Sequence, residues 1–277
     1  MNIIDGKKIA ADIVTRLKAQ KKPERFFAAI LVGDDPASVN FLKQKEKVAR
    51  ELGVDFRLYT LDKNISTDDL RREIGRRAAP SSCGALLVQL PLPKEVNRHY
   101  ALNAIPRMKD PDFLSEAALG AFYTGRSEVT PPPTGVVDEI FRLRGLELRE
   151  LKVAVIGAGF LIGKPIGFWL QNRVAELTVL DAHVKDLRPH LHDADVVVSG
   201  VGQAELFSPD DLKDGAVVID FGWNPSKGSG QVGFRVVGDF AVDPKAESYK
   251  LKAISYTRLR AARDPFLSRS CSRIFTR

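Results

Sequence analysis

At 277 residues the chain can bury one or two sizeable cores, and 44% hydrophobic with 28% charged residues describes an ordinary globular composition. No apolar run approaches the ~20 residues a membrane-spanning helix needs, and Asp5 falls where a signal peptide requires its apolar core, so a cytoplasmic protein without a membrane partner is expected. Cys83 and Cys271 are too few for a disulfide framework, and His99, His183, His190 and His192 form no HExxH pattern, so no metal site is expected. The formal charge of +7 resides in residues 250–277, which hold eight Lys or Arg and one acid; the rest of the chain balances at 34 basic and 34 acidic groups. A basic pI confined to the tail gives no basic face for nucleic acid.

In chain order, residues 5–20 carry apolar positions at helical spacing (Ile9, Ala10, Ile13, Val14, Leu17). Phe26–Val32 reads as a strand ending in the turn Gly33-Asp34-Asp35-Pro36, after which Ser38 is expected to cap a helix that runs to Gly53. Phe56–Leu61 reads as a strand and Asp68–Arg77 as a helix. Ala85–Leu90 is the next strand, closed by Gln89, Pro91 and Pro93. Prolines cannot continue a ladder, so Gln89 stands at the rigid end of a strand, where α/β proteins place ligands. Pro131-Pro132-Pro133-Thr134-Gly135 punctuates the chain before a helix over Val136–Leu143 and a second series of strands: Val153–Ile156, Leu177–Leu180, Val196–Gly200 and Ala216–Asp220. Two α/β lobes of parallel βαβ units follow, joined near residues 113–135, with a site expected in the cleft between them.

The second series opens on a dinucleotide pattern. Gly157, Ala158 and Gly159 follow a strand, and Gly163 opens a helix, in a G-x-G-x-x-x-G spacing one residue longer than the usual one. The glycines permit a tight turn and close approach of a pyrophosphate, whose charge the helix N-terminus favours. Asp181 ends the next strand, 24 residues after Gly157, where an acid can accept from a ribose diol and would repel a 2′-phosphate; that points to NAD, unless Asp181 only caps its loop. Gly200, Gly222 and Trp223 stand at later strand ends and complete the candidate cofactor-binding set.

Phe41 and Lys45 share one helix face at i and i+4, although a lysine so placed is ordinarily solvated. Taken together, Ile3-Ile-Asp-Gly-Lys7, Val32-Gly-Asp-Asp-Pro-Ala-Ser38, Lys45, Val88-Gln-Leu-Pro-Leu-Pro93, Lys109-Asp-Pro-Asp112, the proline punctuation and Gly163-Lys-Pro165 occur in one order. This chain resembles the bifunctional methylenetetrahydrofolate dehydrogenase/methenyltetrahydrofolate cyclohydrolase family from residue 1 to about 255. The resemblance implies oxidation of 5,10-methylenetetrahydrofolate with NADP or NAD, then hydrolysis to 10-formyltetrahydrofolate, in the one-carbon metabolism that feeds purine biosynthesis. It also implies a homodimer. By the same resemblance Lys45 is the acid/base group, Gln89 orients it, Asp112 binds the amino-pyrimidine edge of the pterin, and Phe41 and Pro91 line the substrate site. The lobes become a folate-binding catalytic domain over 1–113 and a Rossmann-like NAD(P)-binding domain over 114–255, with a basic tail over 256–277.

The chain departs from the family pattern at four places. Phe41 replaces a usual tyrosine, which keeps stacking and loses a hydroxyl. Gly157-Ala158-Gly159 stands for Gly-Arg-Ser, and Asp181 for a frequent histidine; both changes favour NAD over the family's NADP. Phe113 replaces the glycine after the pterin-binding aspartate. Beyond Ser255 a glycine-rich loop and final helix are missing. Synonymous codons for Tyr256–Arg277 can be chosen so that a one-nucleotide shift restores a similar motif, which reads the tail as a frameshift product and predicts reduced stability and weak dehydrogenase activity. Two alternatives stay open: a non-catalytic folate- or nucleotide-binding relic, and another two-lobed nicotinamide dehydrogenase.

Overall fold

The computed structural model describes residues 2–227, 234–241 and 254–257. The elements are β1 (Asn2–Ile4), α1 (Gly6–Lys18), β2 (Phe26–Val32), α2 (Pro36–Glu51), β3 (Phe56–Leu61), α3 (Thr67–Ala78), β4 (Cys83–Val88), α4 (Arg98–Leu102), α5 (Glu116–Tyr123), α6 (Pro132–Arg144), β5 (Lys152–Ile156), α7 (Gly163–Leu170), β6 (Glu176–Leu180), α8 (Arg188–Leu191), β7 (Val196–Ser199), β8 (Val217–Asp220), β9 (Asn224–Lys227), β10 (Phe234–Val237) and β11 (Ser255–Thr257). The alternation of strands and helices read from the sequence is the α/β fold observed.

The chain forms two compact units. Ala11–Gly135 builds a parallel sheet in the order β3-β2-β4. Its strand β2 (FFAAILV) is buried along its whole length, as a near-continuous apolar run in a parallel sheet should be. Phe27, Ala29, Leu31, Ala85 and Leu87 of the sheet pack with Leu42 and Ala49 of α2. The other unit takes, among the described residues, 2–10 and those from 136 to 257. There β1-β11-β8-β7-β5-β6 form a six-stranded sheet, parallel at every pairing. An antiparallel β9–β10 ribbon stands beside it in sequence. Ala154, Ile156, Val197, Val218, Phe207, Phe240 and Tyr256 belong to its core. Division by packing thus falls after the proline punctuation, and the N-terminal strand goes with the second series because Asn2–Ile4 pairs with Ser255–Thr257.

Two local expectations need correction. Asp35, not Ser38, caps α2: its carboxylate accepts the Ser38 amide at 2.8 Å, and Pro36 takes the first helical position, where no amide is needed. The helix expected from Val136 begins at Pro132, because a proline-rich start satisfies the same requirement and the punctuation becomes the first turn of α6. Of the tail expected over 256–277, Tyr256 and Thr257 are buried at the end of β11, and residues 258–277, with the frameshift reading, lie outside the described residues.

Candidate active site

In the first unit the buried positions of α2 are Ser38, Leu42, Lys45 and Ala49, spaced as one apolar stripe. Lys45 therefore occupies a core position and is 2% exposed, opposite to the solvated placement a helix lysine ordinarily has. A buried ammonium is costly unless paired. Its partner is Asp112, 67 residues on, with Nζ 3.4 Å from Oδ2, and Nζ also lies 4.9 Å from the centroid of the Phe41 ring. The structure brings Phe41, Lys45 and Asp112 together. Gln89 follows β4, half-buried, and donates Nε2–H to the Leu90 carbonyl at 2.7 Å; the Leu90–Pro91 peptide is cis and Pro91 is exposed.

Asp112 owes its place to a small buried network that sequence reasoning left out. The Lys109 ammonium donates to the Ala78 and Pro80 carbonyls at 2.6 and 2.9 Å, at the C-terminal end of α3. The Asp110 carboxylate accepts the Leu114 amide at 3.0 Å, and the Ser115 amide and hydroxyl at 2.7 Å each. Burial, assisted by the neighbouring Asp112 charge, pushes Asp110 up to about 6 against the opposing pull of those donors. Between the two aspartates and Ser115 the chain turns at Phe113, whose φ of 55° is left-handed and whose ring is buried edge-on to Phe122 at 5.9 Å. A glycine would meet this conformation without the Cβ penalty. An Asp-Pro-Asp run followed by Ser five residues after the first acid was the available signal.

In the second unit Gly157 follows β5 with φ 92°, a conformation suited to glycine, and α7 starts at Gly163 without a side-chain cap at Ile162. A Cβ on Gly163 would collide with the Gly157 carbonyl, and one on Gly200 would sit 2.5 Å from Ile162 Cγ2. The turn is thus closed by backbone against backbone at Gly163 and by the Ile162 side chain against Gly200, while Gly159 has open space above it and Ala158 is exposed. That cradle fits a pyrophosphate, which needs close main-chain approach at a helix start. Asp181 is exposed just past β6, where its Oδ1 accepts the His183 amide at 2.9 Å; it does cap its loop. Gly200 follows β7, and Gly222 and the exposed Trp223 follow β8.

Two family models match the chain: tetrahydrofolate dehydrogenase/cyclohydrolase, catalytic domain, over residues 4–112, and the NAD(P)-binding domain of the same enzymes over residues 130–255. The chain belongs to the tetrahydrofolate dehydrogenase/cyclohydrolase family. Among curated relatives, the bifunctional protein FolD of Staphylococcus haemolyticus is 34% identical over 249 residues, covering 86% of this chain and 87% of its own. That of Heliobacterium modesticaldum is 35% identical over 254 residues, covering 90% and 87%. A solved FolD enzyme from Campylobacter jejuni matches with a TM-score of 0.87 at 28% identity, over 100% of this chain and 96% of that one. The Trypanosoma brucei enzyme, solved with NADP cofactor and inhibitor, matches at 0.85 with 27% identity, over 99% and 94%. The chain carries the catalytic and NAD(P)-binding domains of an NAD(P)-dependent methylenetetrahydrofolate dehydrogenase/cyclohydrolase. Among the described residues, no helix is long and apolar enough to cross a membrane and no acid, His or Cys cluster could hold a metal ion.

Proposed function

We propose that the chain oxidises 5,10-methylenetetrahydrofolate and then opens the methenyl product with water to 10-formyltetrahydrofolate, with Lys45 as the proton-transfer group. The observation that carries this reading is the placement of a lysine on the core stripe of α2, 2% exposed, with its ammonium held only loosely by Asp112 at 3.4 Å. No packing requirement selects an ammonium there; a methionine would fill the same volume without desolvating a charge. An ammonium at a reacting centre can give its proton to the departing nitrogen, and the amine so formed can take one from the adding water. Asp112 is suited to bind the substrate rather than merely to neutralise Lys45, because its side chain is 20% exposed and a carboxylate accepts paired donors well. Phe41 offers an aromatic face without a hydroxyl, Pro91 a rigid exposed wall, and Gln89 an amide whose donor side is held by Leu90, leaving its oxygen to meet a lysine donor.

Gly157, Ala158, Gly159, Gly163, Gly200, Gly222 and Trp223 would hold the dinucleotide, and Asp181 would meet its ribose. The nicotinamide, when bound, accepts the hydride lost from the methylene carbon. Asp181 and Ala158 favour NAD, because the acid repels a 2′-phosphate and no arginine stands in the turn to attract one. We place the enzyme in the cytoplasm as a homodimer, in the one-carbon metabolism that supplies purine biosynthesis.

Lys45→Met tests the central assignment. Hydrolysis of methenyltetrahydrofolate should fall on the order of 100-fold or more, with the circular dichroism spectrum and melting temperature retained. Unchanged turnover would remove Lys45 from the mechanism. Parallel assays with NAD and NADP decide the cofactor; a kcat/KM at least tenfold higher with NADP would overturn the role given to Asp181.

A further inference from the structure

The buried acids of the second unit take no part in the reading above. Asp239 is completely buried. Its Oδ2 accepts the Ser199 hydroxyl and the Val201 amide, each at 2.8 Å, and its Oδ1 accepts the Gly202 amide at 3.1 Å and the Gln203 amide at 3.0 Å. The Asn224 side-chain amide adds a longer contact to Oδ1 at 3.3 Å. Every partner is a donor, so the position needs a group that only accepts. The backbone held in this way is the turn after β7, and its other side lies on the glycine turn: a Cβ on Gly157 would meet Val201 Cγ2 at 3.0 Å and the Gly200 carbonyl oxygen at 3.6 Å.

A second acid locks the first. The Asp220 carboxylate accepts the Gly222 amide at 2.7 Å and the Phe240 amide at 3.1 Å. A Cβ on Gly238 would collide with Asp220 Oδ2, and a Cβ on Gly222 would collide with Asp239 Oδ1. Each carboxylate thus fills the space left by the glycine beside the other, in an Asp-x-Gly and Gly-Asp clasp. Burial pushes Asp220 up to about 6, and the nearby Asp239 charge adds to the rise, so the clasp is maintained against an electrostatic cost.

We propose that Asp239 is a positioning residue of the dinucleotide site, fixing the Val201–Gln203 backbone against the Gly157 turn so that the cradle is formed before the cofactor arrives. This inference rests on the dinucleotide reading given above. It predicts that only one of the two activities depends on Asp239, because hydride transfer requires the dinucleotide and the addition of water to the methenyl carbon does not.

The experiment measures both activities of the full chain, with cofactor affinity from equilibrium titration, for Asp239→Asn and Ser199→Ala. Asparagine keeps the size but turns an amino group toward backbone donors. Dehydrogenase kcat/KM should fall on the order of tenfold to a hundredfold through a raised KM for the cofactor, while hydrolysis of supplied methenyltetrahydrofolate stays within about twofold. Ser199→Ala removes one donor and keeps the carboxylate, so the same KM should rise by about threefold. It carries the test if the asparagine variant fails to fold. Parallel loss of both activities in Ser199→Ala, or an unchanged cofactor KM in both variants, would overturn the proposal. Absence of NAD(P) reduction by the unsubstituted enzyme would instead overturn the dinucleotide reading and this inference with it, and is seen without any variant.

Discussion

The two candidate sites are built from different material. In the first, side chains make the site: an ammonium, a carboxylate and a ring brought together from α2 and the turn at Asp112. In the second, backbone makes it: a left-handed Gly157, a helix start pressed on a carbonyl, and amides held by a buried acid. The same residue type serves both ends. An aspartate facing a cation, with some exposure to water, is available to a ligand. An aspartate enclosed by amides, as Asp239 and Asp110 are, has spent its acceptors on the chain itself. Substitution should therefore remove chemistry from one site and shape from the other.

The largest effect expected of this difference is at Gly163. An alanine there places its methyl group on the Gly157 carbonyl, which is backbone and cannot swing aside. Gly163→Ala should cost about 3 kcal/mol or more of stability and abolish measurable dinucleotide binding together. Lys45→Met, in contrast, should leave the melting temperature level or raised. Thermal unfolding of the two variants side by side is the check, and a Gly163→Ala protein as stable as the unsubstituted one would erase the distinction.

A somewhat smaller effect separates the carboxylates by pH. Asp110 and Asp220 are both pushed up to about 6 by burial. An acid whose folded pKa lies above its unfolded value of about 3.9 binds more proton when folded, so its stabilising contribution is complete below about pH 4 and is lost as pH rises through 6. For Asp110 the loss amounts to roughly 3 kcal/mol. Asp110→Asn has no such titration, so its stability deficit against the unsubstituted protein should shrink between about pH 4 and pH 7. Denaturant titrations at the two pH values measure it. A deficit that grows with pH would mean that the three donors outweigh burial.

How much of this could be read from residues alone follows from the kind of signal each feature leaves. The apolar run between Pro23-Glu24 and Gly33 located the strand Phe26–Val32, which is buried along its whole length, because burial there acts on consecutive residues. Strand β1 left no such mark: three residues pair with Ser255–Thr257 at the far end of the sequence, and nothing local announces it. Lys45 was recoverable only through a family pattern, since its spacing equally describes a solvated face and its partner stands 67 residues away. The pattern also drew attention to Asp112 and not to Asp110, because an acid that serves neighbouring amides works through backbone groups, which every sequence has. Asp239 escaped for the same reason, although Asp220-Phe-Gly222 and Gly238-Asp239 were there to be paired.

The smallest effect concerns Phe113, where side chain and backbone make opposite demands on one residue. Its φ of 55° costs an L-residue about 1–2 kcal/mol. Its ring, 4% exposed and edge-on to Phe122, contributes more than that through burial. Substituting glycine should therefore destabilise the protein by about 2 kcal/mol despite relieving the backbone. The informative comparison is with alanine. Both variants lose the ring, but alanine keeps the left-handed penalty and glycine does not, so Phe113→Gly should be more stable than Phe113→Ala by up to about 1 kcal/mol. At a right-handed or extended position the order is reversed, because glycine gives up more chain entropy on folding. Chemical denaturation of the pair reads the sign directly. An alanine variant more stable than the glycine variant would show that the turn carrying Asp112 is held by its ring and not by its backbone.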